Sequence, residues 1–481
     1  MGAKAQTRGK KTNASGRRKQ ELHRRRQRRI LAAGIIIILA AAVYLAASVF
    51  FMRHFFPRMV VNGISCSGKT AEQSGELFEQ MASDYTLTLN ERGGGQEELS
   101  GIAIGLEVDP GTSLEELLDE QNGFAWAVSL FRNAESEVTV DISYDQTALE
   151  QAVSALSCMD EAQMYDSEDT RLSEYTAGSG YTLIDEVYGT RVQESVLMDQ
   201  LNEAILSLAG ELDLETAGCY VEPVYTAESE AAQAMLAAAN RYVNTTVTYV
   251  FGDNTEVIDG SVISQWILVA DDLTVTLDAE QEAAFVSDLA DTYDTKWKSR
   301  TLVSHSGTTV TVPAGGNYGW RVNQDETLSA LQGYLEAGED YTGEVVYFQT
   351  AAQYGENDYG STYIEVSISA QHFWYYVDGV VVLESDFVSG DVAKGHDTPK
   401  GAYRIAYKAR DQVLEGQGYS SPVSYWMPFV EGCGFHDASW RTQFGGTIYL
   451  KNGSHGCLNL PSWAAKQLYE LIDAGTAVLI Y

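Results

Sequence analysis

The chain has 481 residues, of which 45% are hydrophobic, and its 32 Lys and Arg against 67 Asp and Glu give a formal net charge of −35. This acidic balance argues against nucleic acid as a partner. Five scattered cysteines are too few for a disulfide-stapled ectodomain, and the chain is too long for a single hydrophobic core.

The N-terminus combines a basic segment with an apolar run. Residues 1–29 contain twelve Lys or Arg and a single acid, Glu21, whereas the 23 residues from 30 to 52 carry no charge. At 1.5 Å rise per residue, that run spans roughly 34 Å, enough to cross a bilayer. The basic flank predicts a cytoplasmic tail at 1–29, a transmembrane signal anchor at 30–52, and an extracytoplasmic remainder in the cell membrane. A cleaved signal peptide is the alternative.

Two similar segments follow the apolar run. Tyr-Gly-Thr-Arg-Val at 188–192 recurs as Tyr-Gly-Trp-Arg-Val at 318–322, and an amphipathic helical pattern follows each copy. We predict two α+β modules, at 58–225 and 229–350. They contain no clustered histidines and no phosphate-binding loop, so they are predicted to be spacers or binding modules.

The C-terminal segment, residues 362–481, has a different pattern. Residues 373–383 predict a β-hairpin with an Asp-Gly turn, residues 447–450 predict a strand, and Pro461 opens a short helix. The predicted fold class is therefore a mainly β domain with one short helix, after two α+β modules and a transmembrane helix.

A candidate nucleophile lies in this last segment. Cys457 belongs to Ser-His-Gly-Cys-Leu-Asn at 454–459, and His436 lies 21 residues upstream. If a hairpin brings His436 back, its imidazole can take the thiol proton. Gly456 lets the backbone approach a substrate, so the N–H groups of Gly456 and Cys457, with that of His455, are candidate oxyanion donors.

Other interpretations of these residues are open. Cys457 alone could be a buried core thiol. Cys433, three residues before His436, is interpreted as a small buried hydrophobe, with a second thiol near the cleft as the alternative. A metal site formed by His396, His436, His455 and Cys457 is the main chemical competitor. Its spacing does not fit a His-Glu-x-x-His helix, and no Cys-x-x-Cys occurs, so neither a metal nor a cofactor is predicted.

The histidine, the 17-residue gap and the Ser-His-Gly-Cys-Leu-Asn motif resemble the signature of the L,D-transpeptidase catalytic domain. Asp397–Tyr403 looks like the threonine-proline-x-glycine segment of that family. The resemblance covers residues 362–481. Upstream, Val61–Ser65 and the repeated Tyr-Gly motif resemble the peptidoglycan-binding domain often found ahead of such enzymes.

The resemblance implies a reaction and a set of partners. Such enzymes cleave the bond before the terminal D-Ala of a donor tetrapeptide stem, forming an acyl-enzyme on the cysteine. An acceptor amine of a neighbouring stem then attacks, giving a 3→3 cross-link. Penem-type β-lactams are expected to acylate Cys457.

The resemblance also implies residue roles. Cys457 would be the nucleophile and His436 the proton donor and acceptor. The carbonyl of Ser454 would orient the imidazole, and His455, Gly456 and Cys457 would line the oxyanion hole. Two further residues match substrate-pocket positions, with a core aromatic as the alternative for the first: Trp440 and Asn459.

We therefore expect a membrane-anchored cell-wall L,D-transpeptidase. Two alternatives stay open: a carboxypeptidase or hydrolase that passes the acyl group to water, and a non-catalytic cell-wall-binding protein.

Overall fold

The computed structural model describes Met1, residues 14–416 and residues 419–481. Residues 2–13, much of the predicted basic tail, lie outside the described residues. The helices are α1 Ala14–Phe50, α2 Ala71–Asp84, α3 Ser113–Asp119, α4 Trp126–Ser129, α5 Gln146–Ser154, α6 Glu194–Leu206, α7 Glu230–Val243, α8 Gly260–Ile263, α9 Ala279–Tyr293, α10 Gln324–Ala337, α11 Tyr449–Asn452 and α12 Ser462–Leu471.

The strands, in chain order, are β1 Met59–Val61, β2 Ile64–Ser65, β3 Thr86–Asn90, β4 Gln96–Ser100, β5 Glu107–Asp109, β6 Ala134–Ser136, β7 Asp141–Ser143, β8 Arg171–Leu172, β9 Leu183–Ile184, β10 Glu211–Asp213, β11 Val247–Phe251, β12 Asn254–Ile258, β13 Ile267–Val269, β14 Val275–Leu277, β15 Arg300–Val303, β16 Thr309–Val312, β17 Arg321–Val322, β18 Tyr341–Gly343, β19 Tyr347–Gln349, β20 Tyr363–Ser367, β21 His372–Val377, β22 Val380–Asp386, β23 Gly401–Arg404, β24 Ala409–Gly416, β25 Tyr419–Val430, β26 Cys433–Asp437, β27 Leu458–Leu460 and β28 Ala477–Ile480. Short 3-10 helices occupy Gly123–Ala125, Ser157–Met159 and Val392–Lys394.

Helix α1 is exposed along its apolar length. Within the described residues it is long and apolar enough to cross a membrane, and none of its most apolar window is buried. Ile36, Ile37 and Ile38 are each more than 60% exposed, which is unfavourable in water. By length and composition, a membrane span and a signal sequence fit this helix equally well.

The chain divides into two compact units, Met1–Asp169 with Glu186–Val224 and Thr170–Asp185 with Tyr225–Tyr481. The sequence predicted residues 170–185 within the first module, whereas this β8–β9 segment belongs to the second unit. The reason is a reciprocal pair of hydrogen bonds: Tyr181 N–H donates to Asn240 Oδ1 (2.8 Å) and Asn240 Nδ2 donates to the Tyr181 carbonyl (3.0 Å).

In the first unit, helices cover a small sheet of order β10-β3-β4, in which β10 runs parallel to β3. Helix α2 begins at Thr70, which forms a capping box with Gln73 and so satisfies backbone N–H groups that a helix start leaves free. Its Phe78 packs into the core beside Leu87 and Leu89, which alternate inward on β3.

From residue 225 onward, the second unit repeats this order of elements. Helix α7, capped by Ser229, precedes the hairpin β11–β12, and β18 pairs parallel with β11 after α10. Asn323 caps the start of α10, and Gly338 ends it at φ +70°, a conformation that favours glycine. Each unit thus places a parallel third strand beside a helix-covered hairpin.

Residues after 362 form two sheets around one core, of order β22-β21-β20-β28-β23 and β24-β25-β26-β27. Helix α12 buries Ala464, Ala465 and Leu468 against that core. The predicted fold class is confirmed, since this segment is mostly strand. The predicted strand at 447–450 is wrong: the chain turns there and forms the one-turn helix α11, because Gly445 and Gly446 adopt positive φ just before it.

Candidate active site

Two adjacent strands bring the candidate histidine and asparagine together. Strands β26 and β27 are parallel, and their register places His436 opposite Asn459. His436 Nε2 lies 2.9 Å from Asn459 Nδ2, and His436 Nδ1 lies 2.9 Å from the Asp437 carbonyl. The predicted hairpin return is therefore replaced by a parallel pairing, and the imidazole is held at both nitrogens.

Arg441, which the sequence reasoning missed, assigns the tautomer of this histidine. Its Nε donates to Asn459 Oδ1 (3.0 Å), so Asn459 must present its NH₂ group to the ring. His436 Nε2 then accepts, and Nδ1–H donates to the Asp437 carbonyl. Arg441 also donates to the carbonyls of Asn452 (2.8 Å) and Gly453 (3.1 Å), which ties the imidazole to the chain entering the Cys457 turn.

Cys457 is 7% exposed and packs against Val423 and Trp426. Its thiol donates to the Gly432 carbonyl at 3.4 Å. Among the described residues, no hydrogen bond joins Cys457 Sγ to His436. The thiol lies instead in contact with a second thiol, that of Cys433.

Both candidate groups are therefore neutral at rest. The hydrogen bond with Cys433 and burial together raise the pKa of the Cys457 thiol well above its usual value. Burial lowers the pKa of His436, because an imidazolium loses hydration inside the protein. The thiol of Cys457 must therefore transfer its proton to the imidazole of His436 when a substrate binds.

The turn that carries Cys457 is tightly held. Gly456 has φ +122°, and a Cβ there would lie 2.8 Å from Cys433 Sγ, so the position requires glycine. Ser454 Oγ donates to the Cys457 carbonyl (2.5 Å) and accepts from Gly456 N–H (3.0 Å). Thr398 Oγ1 donates to the Gly456 carbonyl at 2.7 Å.

These contacts revise two expectations. The Ser454 carbonyl accepts from Asp391 N–H (2.9 Å), so the imidazole is held by the Asp437 carbonyl and Asn459 instead. The Gly456 N–H is used by Ser454, whereas the Cys457 N–H has no acceptor among the described residues. The Cys457 backbone amide is thus the candidate oxyanion donor that stands ready.

Aromatic rings border the imidazole. Trp440 is half-exposed with its ring centroid 6.0 Å from that of His436, so it is not a core aromatic. Trp426, on the other side, is buried at the same centroid distance. The His455 ring lies 4.7 Å from that of His396. The described residues contain no group of three or more His, Cys, Asp or Glu able to hold a metal ion.

Family models match two segments of the chain. Residues 361–480 match the model described as "L,D-transpeptidase catalytic domain", and residues 225–342 match that of the "putative peptidoglycan binding domain". The catalytic and binding segments therefore follow each other in the order that the sequence predicted. No curated protein sequence matches the chain.

Solved structures extend the match. The Ldtfm–avibactam carbamoyl enzyme is 36% identical over 52% of this chain and 98% of its own (TM-score 0.45). A cysteine-to-serine mutant of the Enterococcus faecium L,D-transpeptidase is 36% identical over 51% and 99% (TM-score 0.45). The catalytic domain of the E. faecium enzyme acylated by ertapenem is 43% identical over 25% and 98% (TM-score 0.24).

Proposed function

Because this chain belongs to the L,D-transpeptidase family, we propose that it is a membrane-anchored enzyme that forms 3→3 peptidoglycan cross-links through an acyl-enzyme on Cys457. The observation that carries this proposal is the buried His436–Asn459 pair on strands β26 and β27, directly beside the Cys457 turn. The imidazole has one tautomer, in which Nε2 carries the lone pair that can take a proton; Asn459 Nδ2 donates to that lone pair at rest and must give way when the thiol proton is transferred.

The chemistry proceeds in two transfers. In the first, Cys457 gives its proton to His436 and its thiolate attacks the carbonyl before the terminal D-Ala of a donor tetrapeptide. The oxyanion is stabilised by the Cys457 N–H, and the imidazolium protonates the departing D-Ala amine. In the second, an amine of an acceptor stem attacks the thioester, gives its proton to His436, and the thiol is regenerated.

The other site residues act through position. Ser454 and Gly456 fix the turn, while Asn459 fixes the ring. Trp440 and the backbone at His455 border the pocket in which the stem would lie. None of these steps uses a metal or a cofactor.

Topology follows from the N-terminal charge. We propose residues 1–29 as a cytoplasmic tail, 30–52 as a membrane anchor, and 362–481 as the catalytic domain. The peptidoglycan-binding modules would be 58–225, without the residues 170–185 that belong to the second unit, and 229–350. Support comes from the exposed apolar helix and from the matched binding domain at 225–342.

Covalent trapping tests the mechanism. A penem-type lactam is expected to acylate the full chain, because the 43% identical E. faecium catalytic domain is acylated by ertapenem. Mass spectrometry of the digested adduct is expected to locate the label on Cys457. Cys457→Ala should abolish it, and Cys433→Ala should leave it on Cys457. A label that stays after Cys457→Ala would overturn the proposed nucleophile.

A further inference from the structure

Cations and exposed aromatic rings form a cluster in the second unit. This cluster, the Trp297 patch, consists of Lys296, Trp297, Arg321, Phe348 and Arg404. Trp297 is 51% exposed and Phe348 58% exposed. Lys296 Nζ lies 4.7 Å from the Trp297 ring centroid, and the Arg321 guanidinium lies 5.3 Å from that ring and 4.7 Å from the Phe348 ring. Cations alternate with flat apolar faces on one surface.

The positive charge of the patch is unusual in this chain. Residues 53–481 contain 20 basic and 66 acidic residues, yet none of the three cations of the patch forms a salt bridge within the described part of the chain. Burial lowers the pKa of Lys296, and the charges of Arg321 and Arg404 lower it further. The three cations therefore repel one another, and a bound anion would relieve that repulsion.

Asp294 is the acid whose charge acts on Lys296 among the described residues. Its charge favours protonated Lys296, and its carboxylate accepts the Val322 N–H at 2.7 Å. Burial raises its pKa, so its ionised form is disfavoured. A single half-buried carboxylate does not balance three cations.

The backbone holds the Trp297 ring outwards under strain. Trp297 has φ +66°, a strained conformation for a residue with a bulky side chain. The turn is fixed on both sides: Gly315 N–H donates to the Trp297 carbonyl (3.1 Å), and Lys298 N–H donates to the Thr295 carbonyl (3.1 Å). Lys298 Nζ adds a bond to the Asp291 carbonyl at 2.7 Å. Strain that neighbouring bonds enforce is characteristic of ligand-holding positions.

We propose that the Trp297 patch binds a peptidoglycan strand, with a sugar ring on the Trp297 indole and a stem carboxylate on Lys296, Arg321 and Arg404. The assignment rests on the proposed function. A ligand with both a flat sugar face and a carboxylate matches both chemistries of the patch, whereas a phosphate polymer matches the cations alone. Arg404 is the last residue of β23, which follows the segment in which Thr398 donates to the Gly456 carbonyl. The bound peptidoglycan would therefore lie along the chain segment that supports the Cys457 turn.

Retention on purified sacculi tests the proposal. The full chain in detergent is mixed with sacculi stripped of phosphate-containing wall polymers, and the bound fraction is measured. Trp297→Asn removes the ring but tolerates positive φ, and Arg321→Gln removes a cation. Each variant is expected to weaken retention roughly fivefold or more, which is about 1 kcal/mol.

Matched controls come from helix α12. Trp463→Ala removes a tryptophan that is 55% exposed, and Lys466→Gln removes an exposed cation. Both are expected to bind like the wild type. Loss of retention in the controls as well, or no loss in the patch variants, would overturn the proposal.

Two further measurements separate the possible failures. If the chain is retained on unstripped walls but not on stripped sacculi, the ligand is a phosphate polymer, and the proposal is overturned. Penem acylation of wild-type Cys457 is measured in the same preparation. If Cys457 is acylated and all variants are retained equally, only the proposal for the Trp297 patch is refuted. If Cys457 is not acylated but the patch variants selectively lose retention, the catalytic proposal is refuted and binding by the Trp297 patch is supported.

Discussion

The imidazole of His436 depends on a residue that does not touch it. Arg441 fixes the amide of Asn459, and the amide fixes the ring nitrogen that accepts. Without Arg441, the amide can rotate by half a turn and offer its oxygen to the ring instead of its NH₂ group. The Asp437 carbonyl would still keep the proton on Nδ1, so Nε2 would face the amide oxygen, a second acceptor, and the ring would lose the bond that aligns it.

Arg441→Gln is accordingly expected to lower kcat on the order of 10- to 100-fold, because a misplaced base loses its alignment. KM should change far less, and the pH profile of kcat should shift, which loss of folded protein alone would not produce. Arg410→Gln, at an arginine that stacks on Tyr425, is the control and should behave like the wild type. An unchanged pH profile would contradict the positioning role.

The contact between the thiols of Cys433 and Cys457 leads to a second prediction about single residues. Cys433→Ala removes the first cause of the raised pKa of Cys457. The thiolate of Cys457 should therefore form at lower pH, and alkylation by iodoacetamide should reach half its maximal rate at a lower pH than in the wild type. Cys219→Ala, a buried cysteine of the first unit, is the control. A profile that stays in place or moves upward would refute the pairing.

Sequence reasoning identified the candidate residues but not their contacts. The Ser-His-Gly-Cys motif and His436 were readable because their residue types carry chemistry. The pairing of His436 with Asn459 depends on a parallel register, which no local pattern encodes. The sequence favoured a small buried hydrophobe for Cys433 over a second thiol near the cleft, because only the folded turn brings Cys433 to Gly456.

At the scale of elements, predictions succeeded where local signals were strong. The Asp378-Gly379 turn, with φ of +49° and +79°, joins β21 to β22 as the sequence predicted. The long hairpin of β24 and β25 was missed. Strand β24 is mostly exposed and has no clear alternation of polar and apolar residues, and Pro422 and Pro428 interrupt β25.

A buried ion pair joins elements of the second unit. Arg300 on β15 donates to both oxygens of Asp358, at 3.0 and 2.7 Å, and both side chains are almost fully buried. Asp358→Asn would leave the guanidinium buried without its counter-charge, a loss of roughly 3–5 kcal/mol. We expect a clearly lower urea midpoint for the second unit. Glu326→Gln, at an exposed acid on α10, is the control and should leave the urea midpoint unchanged. A midpoint for Asp358→Asn equal to that of the wild type would contradict the stabilising role of the ion pair.

At the scale of the whole molecule, the chain is asymmetric in charge and hydropathy. A basic tail precedes an exposed apolar helix, and a strongly acidic remainder follows. That order predicts a retained anchor with a cytoplasmic N-terminus.

Protease protection in intact spheroplasts tests this topology with a tag at each end of the full chain. The C-terminal tag should be digested, and the N-terminal tag should be protected until the membrane is permeabilised. Loss of the N-terminal tag from the mature chain would show a cleaved signal. Protection of both tags would show an interior protein.

Product analysis tests the central claim most directly. The full chain in detergent is incubated with a disaccharide-tetrapeptide, and the products are fragmented by mass spectrometry, with Cys457→Ala in parallel. We expect a dimer that has lost one D-Ala, carries a 3→3 link, and is absent with the variant. Tripeptide monomer alone would contradict transpeptidation and indicate a carboxypeptidase, and dimer formation by Cys457→Ala would contradict the cysteine mechanism.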